Sequence, residues 1–175
     1  RKNEELEGQL RELVDVAKSN HELSDRVHEL ALRLIEAEDR DAVIGILEQA
    51  LREEFGASDS VVVLFRGPAD IAPQPGSRFL RWVERSSPAL GPFGTFLEQA
   101  RPRCGRARDS QLEFLFPEHA VEIGSIALVP LGADAGLGLL AIGSRDADRF
   151  HPGMSTDFLE RLGQLFSVAL AARRD

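Results

Sequence analysis

A single cysteine, Cys104, stands in the 175 residues. An intrachain disulfide is therefore impossible, and one thiol suits a reducing compartment, so the cytoplasm is the expected location. Long apolar runs are missing too. No stretch approaches the ~18 residues that a membrane span needs, and no membrane contact is expected. The first dozen residues are mostly charged and lack the apolar centre of a signal peptide. They begin at Arg1, without a methionine and inside a helical pattern, so the chain reads as a piece of a longer protein. Catalytic signatures are also lacking: there is no G-x-S-x-G elbow, no H-E-x-x-H and no C-x-x-C. The expectation is a protein that does not catalyse. A net charge of −8 disfavours nonspecific contact with nucleic acid or an anionic membrane surface. With 43 % hydrophobic residues, the chain is long enough for one good core and is not expected to build two.

What is present begins with a heptad pattern. Leu6, Leu13, Asn20, Val27 and Leu34 recur every seven residues, with Gln9, Val16, Leu23, Leu30 and Ala37 three places after each. Glu5, Glu12, Arg26 and Arg33 flank this seam. The pattern predicts a long helix pairing with its twin in a parallel two-stranded coil, in which Asn20 sets register and strand number. The expected interface is Leu6, Leu13, Val16, Asn20, Leu23, Val27, Leu30 and Leu34. A second file, Leu10, Ala17 and Ala31, widens the stripe and predicts an added contact with a second helix or the globular body. Residues 1–37 are thus expected to form a coiled-coil or linker helix, and 38–175 a separate domain.

Within that domain, Asp39 or Asp41 can cap a helix running to Phe55, with Gly56 ending it. "SVVVLF" (60–65) reads as a central strand. "FLRWVE" (79–84) alternates as a second, with Leu80 and Trp82 on one face and Phe79, Arg81 and Val83 on the other. A short helix is predicted at 93–100, an extended stretch in "RPRCGRAR", a helical turn or two in "SQLEFLF", strands at 125–131 and 137–143, and a terminal helix from Met154 to Arg173. The glycines of "LGADAGLG" could suggest a phosphate loop. Such a loop needs a helix N-terminus directly after it. Here a β-type run follows, so "GADAG" is expected to be a hairpin turn.

This order, together with "GSIALVPLGADAGLGLLAIGSRDADRFHPGMSTDFLERLGQLFSVAL" (124–170), resembles the GAF domain. The features in common are a strand reaching a proline, a glycine turn, a strand of the "lGvL-l" type, a phenylalanine, and a helix opening with acidic residues. With "RPRCGR", the ending looks like a proteobacterial group of GAF-like proteins catalogued as domain of unknown function 484. The resemblance implies an α+β fold, an antiparallel sheet flanked by helices with a ligand pocket in front, preceded by a coiled-coil helix. GAF domains bind cyclic nucleotides, tetrapyrroles, haem, metals or small metabolites, or serve only as dimer modules. Ser144–Arg145 stands where the cyclic-nucleotide subgroup has asparagine–lysine; of that motif Phe150 clearly remains, with Asp157 following late. Cys104 is followed by Gly105, with His119 well downstream, unlike the bilin-attaching subgroup. The resemblance therefore names no cofactor.

Two clusters are candidates for chemistry. Glu118, His119 and Glu122 in "PEHAVE" are metal-ligand types on one turn, though a solvated helix end explains them and no metal is expected. In "ARPRCGRAR", Arg101, Arg103, Arg106 and Arg108 crowd an otherwise acidic chain. If the segment is extended, Cys104, Arg106 and Arg108 share one face and Arg103 takes the other. Guanidinium groups there suit phosphate or carboxylate, with Trp82 or Phe114 as stacking partners. The competing reading is an edge strand protected by charge. Flanking arginines would make Cys104 a redox-sensitive thiolate, whereas burial would make it inert. The expectation is a homodimeric, non-catalytic sensory or regulatory module that binds a small, anionic ligand or a protein partner. Its rival is a structural interaction module whose pocket is filled by Phe93, Phe96, Phe114 and Phe116.

Overall fold

The computed structural model describes residues 6–8, 10, 25–53, 57–66, 79–153 and 156–172. Leu13, Val16, Asn20 and Leu23 of the expected seam lie outside them. A helix at 25–36 (α1) leads into α2 (Arg40–Glu53), β1 (Asp59–Arg66) and β2 (Leu80–Glu84). A 3-10 helix (Pro88–Phe93) then precedes α3 (Gly94–Gln99), β3 (Arg103–Gly105) and α4 (Asp109–Leu115). A hairpin of β4 (Ser125–Leu131) and β5 (Gly138–Ser144) and the terminal helix α5 (Asp157–Ala172) complete the chain.

Local chemistry sets these boundaries. Asp39 starts α2, its Oδ1 accepting the Ala42 N–H at 2.8 Å, which satisfies one of the donors a helix start leaves open. Ala100 ends α3 in the left-handed region (φ 49). "GADAG" does connect β4 to β5 in antiparallel register, Leu131 opposite Gly138. The turn needs positive φ at Gly132, Asp134 and Ala135, and a loop that binds phosphate would have led to a helix instead.

The five strands lie in the order β2-β1-β5-β4-β3. Three of the four pairings are antiparallel, as expected, but β1 and β2 run parallel. The sheet is therefore mixed. A parallel neighbour requires the chain to return to its starting end, which takes a dozen or more residues, and residues 67–79 supply that length.

Strand alternation sends side chains to both faces, and both are buried. Behind the sheet, Val62, Leu64, Ala127, Val129, Leu140 and Ile142 meet α1, α2 and α5 through residues such as Leu34, Leu47, Leu162 and Phe166. In front, Val61, Val63, Ile126, Leu128, Leu139 and Ala141 meet Leu90, Phe93, Phe96, Leu97, Leu112, Leu115 and Phe116. The chain thus builds two cores, where its length suggested one. Thin layers make this possible: short helices, a 3-10 turn and a loop cover the front. Phe79 also departs from the simple alternation, since it precedes β2 and packs behind the sheet.

The expected seam is corrected at its C-terminal end. Leu30 and Leu34 are 0 % and 1 % exposed, and what buries them is their own chain's rear core. The outer side of α1 carries Leu32 and Ile35 instead, while Leu6 and Leu10 far upstream are more than half exposed. The wide apolar stripe is the reason: a helix with more than a narrow seam packs on the domain it leads into. Leu34→Ala should accordingly lower folding stability by about 2–5 kcal/mol. The urea midpoint of the variant is expected to fall by the same amount at high and low protein concentration. A loss that depends on concentration would return Leu34 to an interface between chains.

Gly138 has φ +147 and lies against β1, where a β-carbon would run into the Val63 carbonyl. Gly138→Ala should cost at least about 2 kcal/mol, or roughly 4–8 °C in melting temperature. An unchanged melting curve would mean the β1–β5 approach can relax freely.

Candidate functional site

Three of the four arginines of the sequence cluster, Arg103, Arg106 and Arg108, come together at the β3 end of the sheet, without Arg101. Arg103 stands on β3 opposite Leu128, on the front face. Cys104 pairs with Ala127 and packs toward the rear core. The strand stops at Gly105, whose φ of +147 turns the backbone, so the predicted alternation does not continue. Arg106 and Arg108 are consequently brought to the same side as Arg103. With Cys104, Gln111, Ile126 and Leu128 these arginines line a cavity of about 190 Å³.

Gln111 on α4 holds this corner in shape, and no residue pattern marked it beforehand. It is 7 % exposed. Its Oε1 accepts the Arg108 N–H at 3.1 Å and its Nε2 donates to the Pro92 carbonyl at 2.9 Å. Its placement three residues after the helix start is that of the second half of a capping box. Arginine at the cap position, in place of serine or threonine, hides that pattern in the sequence. The bridge to Pro92 pins the arginine loop to the 3-10 turn beneath the front core.

The charge balance of the corner is unusual for this acidic chain. Among the described residues, none of Arg103, Arg106 and Arg108 has a carboxylate within 4.0 Å. Surface arginines ordinarily relax their mutual repulsion through acidic neighbours or water. Here three planar donor groups border one small concavity with an apolar floor of Ile126 and Leu128.

The expected stacking partners are elsewhere. Trp82 is on β2, at the opposite edge of the sheet; four strand spacings, roughly 19 Å, separate the two edges. Its indole packs on the rear core beneath the Arg40 guanidinium, 5.8 Å from the ring centre. Phe114 faces Phe93 edge-on at 5.5 Å and carries the Arg81 guanidinium at 5.3 Å. Arg81 donates to the carbonyls of Phe114 and Leu115, meeting orphan acceptors at the C-terminus of α4. Burial pulls this guanidinium below the ordinary arginine range. Both aromatic residues serve packing at β2, and neither reaches the arginine corner.

For Cys104 the structure favours the second of the two readings, burial over activation. Burial pushes its thiol up, against a smaller opposing pull from Arg149. An upward shift is the opposite of what an activated thiolate requires. "PEHAVE" is likewise taken apart by its neighbours. His119 Nδ1 lies 2.9 Å from Asp59 Oδ1, and Arg145 pairs with Glu122 at 3.1 Å. Among the described residues no group of three or more His, Cys, Asp or Glu side chains is placed to hold a metal ion.

The space in front of the sheet is largely occupied by the chain itself. Phe93, Phe96 and Phe116 are buried there, with Phe114 packed beside them. Gly143 lets Phe116 and Ile123 come close, since a β-carbon would stand 3.1–3.2 Å from them. Besides the arginine cavity, a cleft of about 560 Å³ opens between α4 and residues 120–125. Another, of about 490 Å³, lies between α5 and the end of β4. No described helix is long and apolar enough to cross a membrane.

Over 166 residues the chain is 27 % identical to a Salmonella typhimurium protein described as "Uncharacterized protein YigA", an alignment covering 94 % of this chain and 68 % of that one. Residues 1–173 match the family described as "Protein of unknown function, DUF484", and the chain belongs to that family.

Proposed function

We propose that this chain is a non-catalytic, GAF-like regulatory module that binds a small anion at Arg103, Arg106 and Arg108 and works as a homodimer. The observation that carries the reading is the arginine cavity, three guanidinium groups around about 190 Å³ with no carboxylate at salt-bridge distance among the described residues. Its size suits a phosphate, a carboxylate or the end group of a larger molecule, and is below the ~300 Å³ of a typical ligand pocket. Guanidinium forks recognise such groups by paired, charge-assisted hydrogen bonds. The path from the site to the leading helix is short. β3 pairs with β4, α5 packs across β4, and α5 shares the rear core with α1 and α2. An anion would shift that arrangement only by binding one state more tightly than the other. Dimerisation would use the seam upstream of Val27, where Leu6 is exposed and Asn20 would fix the pairing.

A second reading rests on the buried phenylalanines. With Phe93, Phe96 and Phe116 filling the front of the sheet, the chain would serve as an interaction module with no ligand of its own.

Thermal denaturation with inorganic phosphate separates the two. Phosphate should raise the melting temperature in a saturable way, with a stabilisation near 2.7 kcal/mol at a hundredfold excess over Kd. The Arg103→Gln, Arg106→Gln, Arg108→Gln triple variant should lose that response. A wild-type curve indifferent to phosphate and to carboxylates such as acetate would favour the interaction module. For the dimer, native mass spectrometry should give the mass of two chains, reduced to one by Leu6→Glu with Leu13→Glu. A single-chain mass for the wild type would remove the coiled-coil reading.

A further inference from the structure

The arginine cavity has a neighbour with which it shares a wall. Arg106 and Ala107 line both the 190 Å³ cavity and the 560 Å³ cleft, so the two adjoin at these residues. The cleft has an apolar base in Leu112 and Ile123, each 8 % exposed. Its charged members are Arg106, Asp109 and Glu113. The two acids are four residues apart, one helical turn, and so lie along the same side of α4. Although they line one cleft with Arg106, neither comes within 4.0 Å of it, nor of any other described cation.

Opposite charges that share a concavity without meeting leave a separation for a ligand to bridge. The geometry points to a zwitterionic small molecule as the occupant. Its anionic group would lie among the arginines, its apolar middle on Leu112 and Ile123, and its ammonium group beside Asp109 and Glu113. This assignment rests on the anion reading above and adds the other two parts of the ligand. A purely anionic amphiphile would satisfy the arginines and the apolar base but would bring nothing to the two carboxylates. A metal cation would suit the carboxylates and be repelled by Arg106. A molecule carrying both charges, with apolar atoms between them, fits all three surfaces. Amino phosphates, amino acids and short peptides belong to that class.

Isothermal titration with three probes tests the idea: inorganic phosphate, hexyl phosphate and 6-aminohexyl phosphate. Hexyl phosphate should bind about tenfold more tightly than phosphate, from the apolar surface it covers. The amino probe should gain roughly a further threefold, the scale of an exposed ion pair. Asp109→Asn with Glu113→Gln should abolish that last gain and leave hexyl phosphate unaffected. Both residues are exposed, so the variant is expected to fold, and its melting curve in the absence of probe checks this. Equal binding of all three probes, weakened alike by Arg106→Gln, would overturn the zwitterion assignment and leave the anion site standing. Failure of every probe to bind would overturn the anion reading and this assignment with it.

Discussion

Two ladders on either side of β5, one to β1 and one to β4, hold every other part of the molecule in place. All seven residues of β5 are buried, so its polar backbone must be satisfied by its neighbours alone. That requirement forces close, regular approach, and Gly138 exists where the approach to β1 leaves no space for a side chain. Once the three central strands are set, their alternating side chains define two apolar faces. Each face must then be covered. The rear takes the three longer helices, and the front takes the 3-10 turn, α3, α4 and the loop after it.

The edges of the sheet are where this covering thins, and their chemistry diverges. At β2, aromatic rings and arginines pair with one another: Arg40 on Trp82, Arg81 on Phe114, Arg85 on Phe65. The guanidinium groups there are committed to rings and helix-end carbonyls. At β3, only three residues pair with β4, and the chain leaves the sheet through Gly105 with its arginines uncommitted. Similar residue types therefore stand in different states at the two edges. The difference arises from what the front layer does locally, since Phe114 and the end of α4 engage Arg81 on the β2 side, while the start of α4 and β3 leave a small cavity between them.

Much of the fold was legible in the residues. The β-branched run at 60–65 and the apolar runs at 125–131 and 137–143 allow few alternatives to central strands. The glycines of "GADAG" are followed by such a strand, and that local pattern is enough to decide between turn and phosphate loop. The parallel β2 was not legible, because strand direction depends on where the connecting segment returns and residues 67–79 carry no pattern that says so. Nor was the intrachain burial of Leu30 and Leu34: a heptad repeat specifies a face to be covered and is silent on whether a second copy or the chain's own sheet covers it. In the site, the arginine cluster was visible as a local excess of charge in an acidic chain. Gln111 was not, since a buried amide becomes significant only through the distant Pro92 carbonyl it holds.

By itself, the sequence determined the order and type of the elements, the place of the hairpin, and the segment in which positive charge concentrates. These follow from local periodicity and backbone preference, which act over a few residues. Tertiary structure decided which charges and rings meet. Trp82 and Arg106 were candidates for one pocket, and the strand order set them at opposite edges of the sheet, because hydrogen-bonded neighbours across a sheet need not be neighbours in sequence. The same order set Arg103, Arg106 and Arg108 around one cavity, because a single glycine with positive φ ended the strand that would have kept them on opposite faces.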